Sequence, residues 1–238
     1  MKNVLITGGA GFIGSNLAKY LLIKGYNIFI IDDLSTGSID NIPKEAFFFK
    51  GKTEDKKILK ELNNKNIDLI FHLSGQSSGE ISFDDPQKDL SDNVSSTLAL
   101  CDFMIKNNIK DIFYASSVCV YGDPSNFPSK ESDMVAENIK GFYGIGKLAS
   151  ENYLRLYHKN YNLNATCLRF YTIYGPGQNM SNLRQGMVSI FMELIMSKQD
   201  PVIVKGSLDR FRDLLHIDDL LEMLFRLIKK DLTGYNIF

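Results

Sequence analysis

Tyr143 and Lys147 stand four residues apart in Tyr143-Gly144-Ile145-Gly146-Lys147. On a helix that spacing puts both side chains on one face. A free phenol ionises near pH ~10, too high for an efficient base at neutral pH. A neighbouring ammonium stabilises the phenolate, so the pair can take the proton of a substrate hydroxyl. Ser117 ends the run Asp111-Ile112-Phe113-Tyr114-Ala115-Ser116-Ser117. Its hydroxyl can bond the same oxygen and relay the proton. Taken alone, Tyr-x-x-x-Lys also describes an ordinary half-buried tyrosine beside a solvated lysine. Its meaning depends on what precedes it.

What precedes it is a glycine turn. Val4-Leu5-Ile6-Thr7 is apolar and strand-like, and Gly8, Gly11 and Gly14 follow at the spacing G-x-x-G-x-x-G. Gly8 allows a sharp turn. Gly11 leaves room for a pyrophosphate to approach the N–H groups opening the next helix. Gly14 lets that helix pack closely on the strand. Phe12, Leu17, Tyr20, Leu21 and Leu22 can share one face of this helix. A second buried strand, Tyr26 to Ile31, ends in Asp32-Asp33. Asp32 falls near the spacing at which an acid accepts hydrogen bonds from an adenosine ribose. A carboxylate there repels a 2′-phosphate, and no Arg or Lys occurs between Asp32 and Ile42. The reading is an NAD site rather than an NADP site. With NAD present, Tyr143 can deprotonate a sugar hydroxyl while hydride leaves the same carbon, and Lys147 also reaches the nicotinamide ribose.

The elements that must position these residues alternate. Strands are expected at Ala46–Phe49, Asp68–Leu73, Asp111–Ala115 and Asn164–Phe170, and helices at 55–64, 86–107 and from Tyr143 onward. Asp85-Pro86 reads as an N-cap followed by proline at the first helical position. Leu90, Val94, Leu98, Cys101 and Ile105 are expected on one face of the 86–107 helix. Alternation of this kind means an α/β fold with a doubly wound parallel sheet, the Rossmann arrangement, with ligands at the carboxyl ends of the strands. Gly8, Asp32, Ser74 and Ser117 all follow strand ends and are expected along one edge. Beyond Tyr171 the pattern predicts a loop at Gly175–Gln178, a helix at Met187–Met196, strands at Pro201–Val204 and Arg212–Leu215, a helix at Ile217–Lys229 and a last strand at Tyr235–Phe238. The expected organisation is an NAD-binding domain over 1–170 and a small, incomplete substrate-binding region over 171–238. Within that region, about 212–230 is expected to pack back on the first domain.

Composition excludes several classes. A net charge of −1 leaves no nucleic-acid footprint. Cys101, Cys119 and Cys167 are odd in number, with neither a C-x-x-C pair nor a nearby histidine cluster, so neither a disulfide framework nor a metal site is expected and the cytoplasm is the natural compartment. The apolar run at the N-terminus breaks after Ile6, too soon for a secretory leader. No stretch is long and apolar enough to span a membrane.

The chain resembles the extended short-chain dehydrogenases/reductases, specifically the NAD-dependent nucleotide-sugar epimerase/dehydratase family. The resemblance rests on segments in family order along essentially the whole chain: Thr7–Ser15, Asp32–Gly37, His72–Gly75, Asn93–Thr97, Ser116-Ser117 with Val120-Tyr121-Gly122, Tyr143-x-x-x-Lys147, Arg169–Pro176 and Arg212–Asp219. It implies pyrophosphate contact at Phe12 and Ile13, and adenosine contact at Asp32, Asp33, Ser35 and Thr36. Leu73, Ser74 and Gly75 would line the cofactor groove, with Asn93 close by and Tyr171 near the nicotinamide. Ser117 and Thr172 would meet the sugar, and Arg212 would hold the diphosphate of a UDP-sugar through its guanidinium fork. The implied activity is 4-epimerisation by reversible oxidation at C4, in a homodimer built on the 85–107 and 143–160 helices. Alternatives are a nucleotide-sugar reductase or dehydratase of the same family, or a non-catalytic NAD-binding regulator.

Four departures qualify the resemblance. Val118-Cys119 stands where dehydratases carry Asp-Glu, which argues against dehydration, and Cys119 reads as a small core residue. Gly51-Lys52 replaces the usual Gly-Asp beside adenine, so either Lys52 points away or the adenine end is altered. Thr172 replaces a frequent Asn and keeps a UDP-uronic acid open as substrate. Family members continue past the position of Phe238, so the sugar pocket is expected to be incomplete here.

Overall fold

Buried β-branched and aromatic runs make the strands, and amphipathic stretches between them make the helices. The computed structural model describes residues 2–123, 128–182, 184, 186–203, 209 and 211–238. In chain order these are β1 (Asn3–Thr7), α1 (Phe12–Ile23), β2 (Asn27–Asp32), β3 (Phe47–Lys50), α2 (Lys56–Glu61), β4 (Leu69–His72), α3 (Pro86–Leu90), α4 (Ser96–Lys106), β5 (Asp111–Ser117), α5 (Phe142–Tyr161), β6 (Asn164–Phe170), β7 (Thr172–Tyr174), α6 (Met187–Met196), β8 (Leu214–His216), α7 (Ile217–Lys229) and β9 (Tyr235–Ile237). Seven strands form one sheet in the order β3-β2-β1-β4-β5-β6-β9. Every pairing is parallel, the β7–β8 pair included. The central strands β1, β2, β4, β5 and β6 are buried on both faces, which is why they read as apolar runs rather than alternating ones.

Two cores flank the sheet. On one side Leu5, Ile31, Ile70 and Ile112 pack against Leu100, Cys101, Met104 and Leu154 of α4 and α5. On the other, Val4, Ile6, Ile30 and Phe71 meet Leu17 and Leu21 of α1 and Leu220, Leu221 and Leu224 of α7. No helix among the described residues is long and apolar enough to cross a membrane.

Three expectations change. The 86–107 helix is interrupted by a π-helical turn, Ser91–Ser95, between α3 and α4. The wider turn shifts the phase of everything after it. The buried face therefore carries Asn93, Val94, Thr97, Leu100, Cys101 and Met104, while Leu90 is 56% exposed. The expected strand at Pro201–Val204 is absent over residues 201–203, and Val204 lies outside the described residues. Instead β8 pairs with β7, a strand without its own signal in the sequence: three residues are too short for a period to register.

Candidate active site

The glycine turn after β1 is as tight as its spacing requires. Gly8 has φ +71°, and a Cβ on it would lie 2.7 Å from Ser74 N; one on Gly14 would lie 2.2 Å from Gly8 O. Gly11 is different: a Cβ there would meet only Gly8 O, at 3.4 Å. Helix α1 begins without a capping side chain and without an acid in its first turn. Its first intrahelical bond is Ser15 N–H to Gly11 O at 3.0 Å. The N–H groups of Phe12, Ile13 and Gly14 are the unpaired donors of a helix start, suited to an anion. Asp32 ties down the same turn. Its Oδ2 accepts from Ala10 N–H at 2.9 Å and its Oδ1 from Leu34 N–H at 2.8 Å. Burial raises its pKa, and the two N–H groups oppose that. Beside it, Asp33 accepts from Ser35 N–H at 2.9 Å. Burial acts to raise Asp33, but the Ser35 hydrogen bonds and the Lys52 and Lys88 charges outweigh it and hold the pKa below the ordinary value. Ser35 and Thr36 are exposed on the loop that follows.

The floor of the cleft is a chain of hydroxyls around a buried imidazole. Thr97 Oγ1 donates its one proton to Asn93 O at 2.7 Å, so it can only accept from His72 Nε2, 3.0 Å away. His72 is thereby the Nε2–H tautomer, and its Nδ1 accepts from Thr7 Oγ1 at 2.8 Å. Thr7 in turn accepts from Ser74 Oγ at 3.0 Å, and Ser74 from Thr53 Oγ1 at 2.8 Å. Every proton in the chain points one way. Burial, and then the charge of Lys147, push the His72 pKa down to about 3, so the ring is neutral. Leu73, Ser74 and Gly75 turn away from β4 directly above. A Cβ on Gly75 would lie 2.4 Å from Asn93 Oδ1, a buried acceptor with no hydrogen-bond partner. The π-turn carries Asn93 to this point, and its Nδ2 donates to Gln76 O and to Asp89 Oδ1, both at 3.1 Å.

Ser117, Tyr143 and Lys147 come together at the end of β5. The Ser117 hydroxyl lies close enough to the Tyr143 phenol to act on its ionisation, and Ser117 Oγ accepts from Cys119 N–H at 3.2 Å. Lys147 Nζ lies 5.7 Å from the centre of the Tyr143 ring and 5.0 Å from that of Tyr114. Gly144 and Gly146 let α5 come this close: a Cβ on the first would lie 2.9 Å from Cys119 O, and on the second 3.2 Å from Asp89 Oδ2. In the ligand-free protein burial dominates the electrostatics of the pair. Burial raises the Tyr143 phenol well above its ordinary range, with the Ser117 bond opposing. Burial also lowers Lys147 to about 8, with Asp89 opposing. Without a ligand, Tyr143 is therefore a protonated phenol at neutral pH.

The outer residues are less tightly gathered. Ser117 is in register with Phe170, which places Tyr171 one residue beyond the pair. Thr172 N–H donates to Asp213 O at 3.3 Å. Arg212 adjoins Thr172 in this way, but its guanidinium turns back on its own chain to Phe211 O at 2.8 Å. Cys119 is exposed rather than part of the core, because the turn Val118–Tyr121 buries Val120 and Tyr121 instead. Lys52 faces Asp92 at 3.4 Å and Glu54 at 3.8 Å. The sequence assigns no role of their own to His72 and Arg169, which only open matching segments, and does not single out Asp89 or Glu151. The signal for Glu151 was present: it is four residues past Lys147 and eight past Tyr143, on their face of the helix.

The open face at Gly11, the uncapped start of α1, the Asp32 carboxylate and the unpartnered Asn93 Oδ1 are donors and acceptors that suit a dinucleotide along this edge. The sheet order, the glycine turn on its first strand and the Ser/Tyr/Lys set define the short-chain dehydrogenase/reductase class of Rossmann proteins. The sequence profile of the NAD dependent epimerase/dehydratase family matches residues 4–237. The chain belongs to that family. It is 33% identical over 228 residues to the UDP-glucose 4-epimerase of Mycolicibacterium smegmatis, an alignment covering 93% of this chain and 72% of the relative. It superimposes on the Thermotoga maritima UDP-glucose 4-epimerase, solved with UDP-glucose, with a TM-score of 0.92 at 30% identity, over 99% of this chain and 75% of that one. The Thermus thermophilus UDP-glucose 4-epimerase, solved with NAD, gives 0.88 at 29% identity, over 99% and 76%.

Proposed function

We propose that the protein is an NAD-dependent UDP-sugar 4-epimerase. The observation that carries this reading is the convergence of Ser117, Tyr143 and Lys147 at the end of β5, on the sheet edge that also holds the Gly8–Gly14 turn. Phe12 and Ile13 would hold the pyrophosphate by their N–H groups, and Asp32 the adenosine ribose. Leu73, Ser74, Gly75 and Asn93 would line the groove, Asp33, Ser35 and Thr36 its adenosine end, and Tyr171 its nicotinamide end. Bound there, oxidised NAD supplies a positive charge and a reversible hydride acceptor. Tyr143, a protonated phenol in the free protein, would release its own proton to solvent once the bound cofactor's positive charge lowers its pKa; the phenolate then takes up the C4 hydroxyl proton and returns it in the second half of the reaction. Ser117 holds the C4 oxygen and relays the proton. Lys147 supplies the fixed charge beside the phenol and binds the nicotinamide ribose. Thr172 contacts the sugar, and Arg212 swings from Phe211 O to the diphosphate. Val118-Cys119 in place of Asp-Glu argues against dehydration. A homodimer is supported by the apolar side chains that α3 and α5 leave in solvent, Leu90, Ile145, Tyr153 and Leu156.

Denaturing the purified protein and identifying the released nucleotide tests the cofactor; NAD is expected, and release of NADP sinks the assignment. Incubation with UDP-glucose, UDP-N-acetylglucosamine and UDP-glucuronate then tests the substrate. Turnover is expected for at least one without net redox, and with Tyr143→Phe it is expected to vanish. Turnover that persists in that variant removes Tyr143 from its role.

A further inference from the structure

Behind the Ser117–Tyr143 contact lies an ion pair that the proposed reaction does not use. Glu151 of α5 and Arg169 of β6 are each 2% exposed. Arg169 Nε donates to Glu151 Oε1 at 3.0 Å and Nη2 to Oε2 at 2.7 Å, the two-pronged arrangement that fixes both planes. Ser116 Oγ also donates to Glu151 Oε1. Arg169 Nη1 donates to Glu131 O at 3.1 Å, and its guanidinium lies 4.9 Å from the Tyr121 ring centre. One pair thus joins the end of β5, the turn after it, the loop before α5, the end of β6 and α5 itself.

Burying two charges is a poor way to gain stability, because desolvation consumes most of their attraction and an apolar pair of similar volume often serves as well. What an apolar pair lacks is direction. Ser116 immediately precedes Ser117, and Glu151 is joined to Tyr143 by eight residues of rigid helix. We propose that Glu151 and Arg169 are positioning residues for the epimerase reaction, setting the distance between Ser117 Oγ and the Tyr143 phenol. The proposal rests on the catalytic reading above. It goes beyond it by assigning a role to residues that touch neither sugar nor cofactor.

Two variants test it. Glu151→Leu/Arg169→Met replaces the pair by apolar side chains, and Ser116→Ala cuts the link to β5 while leaving the pair intact. Three quantities are read: the urea midpoint, kcat and KM for the UDP-sugar that wild type turns over, and the 13Cζ resonance of Tyr143 in the ligand-free protein, assigned with Tyr143→Phe. The double variant is expected to keep its midpoint, change KM less than about threefold, and lose about a hundredfold in kcat, the size of effect that a small misplacement produces. Ser116→Ala is expected to lose kcat in the same sense but less, and in both variants the Tyr143 resonance moves. An unchanged kcat and an unchanged resonance overturn the proposal. Should the double variant not fold, Ser116→Ala decides alone by the same two readings. Should wild type turn over no UDP-sugar, the functional reading fails, and the Tyr143 resonance still decides whether the pair sets its position.

Discussion

His72 gives the protein an acid-labile window whose size can be worked out. The ring is fully buried, with both nitrogens committed: Nε2–H to Thr97 and Nδ1 to Thr7. Its pKa falls from the ordinary 6.5 to about 3, because burial penalises the cation and Lys147 repels it. Between these two values the unfolded chain binds a proton that the folded chain refuses. Stability from this group is therefore fully present above pH 6.5 and is lost as pH falls toward the folded value. The slope approaches ~1.4 kcal/mol per pH unit, and from pH 6 to pH 4 the loss amounts to about 2–3 kcal/mol. The perturbation is His72→Gln, which keeps a polar side chain but does not titrate. The variant is expected to be weaker at pH 7.5, because Thr7 and Thr97 lose well-placed partners. Its stability should then fall less steeply with acid. Urea unfolding at pH 7.5, 6, 5 and 4 measures both curves, and the other titrating groups, common to both proteins, cancel in the difference. The gap between the curves should close by about 2–3 kcal/mol from pH 6 to pH 4. Parallel curves would refute the buried neutral ring and, with it, the one-way hydroxyl chain.

Gly14→Ala is expected to destabilise by about 3 kcal/mol or more, since the new Cβ meets backbone rather than a yielding side chain; thermal unfolding and NAD titration should both register it. Lys147→Met is expected to abolish turnover yet stabilise the protein at pH 7 by about 1–3 kcal/mol, because a buried ammonium lowered to about 8 is held at a cost. Wild type alone should gain stability between pH 8 and 10.5, and a lower melting temperature in the variant would contradict this. Asp32→Asn is expected to weaken NAD about tenfold and narrow the preference over NADP, as calorimetric titration can measure. Ile145→Glu, on the exposed side of α5, is expected to shift the protein toward monomer in sedimentation velocity; an unchanged distribution would place any interface elsewhere.

Much of this architecture could be read before the structure. Val4–Thr7 and Asn27–Asp32 announce themselves because strands buried on both faces leave an unbroken apolar run. The turn at Gly8 is legible because a φ of +71° and backbone 2.7 Å away leave one residue type. The π-turn was not, since a phase shift at Ser91–Ser95 alters no composition and no spacing of like residues. His72 was hidden for another reason: its partners Thr7 and Thr97 lie 65 and 25 residues away, and only the sheet brings them to the ring. The Tyr143 environment was legible only in part. Its neighbour Lys147 was visible in the sequence, but the depth at which both are buried was not, and that burial raises the phenol in the ligand-free protein.

Tyr20 of α1 donates to Glu222 of α7 at 2.7 Å, across 202 residues of chain. A ribosome adding ~5–20 residues per second needs about 10–40 s to bring that partner out. For this interval Leu17 and Leu21 have only β1, β2 and their neighbours to cover them. The first half of the sheet thus emerges as an adhesive surface in a crowded cell, and α7 closes it late. Substitutions on the inner face of α7 would then be felt first in yield and chaperone demand during synthesis, before any change in the finished protein.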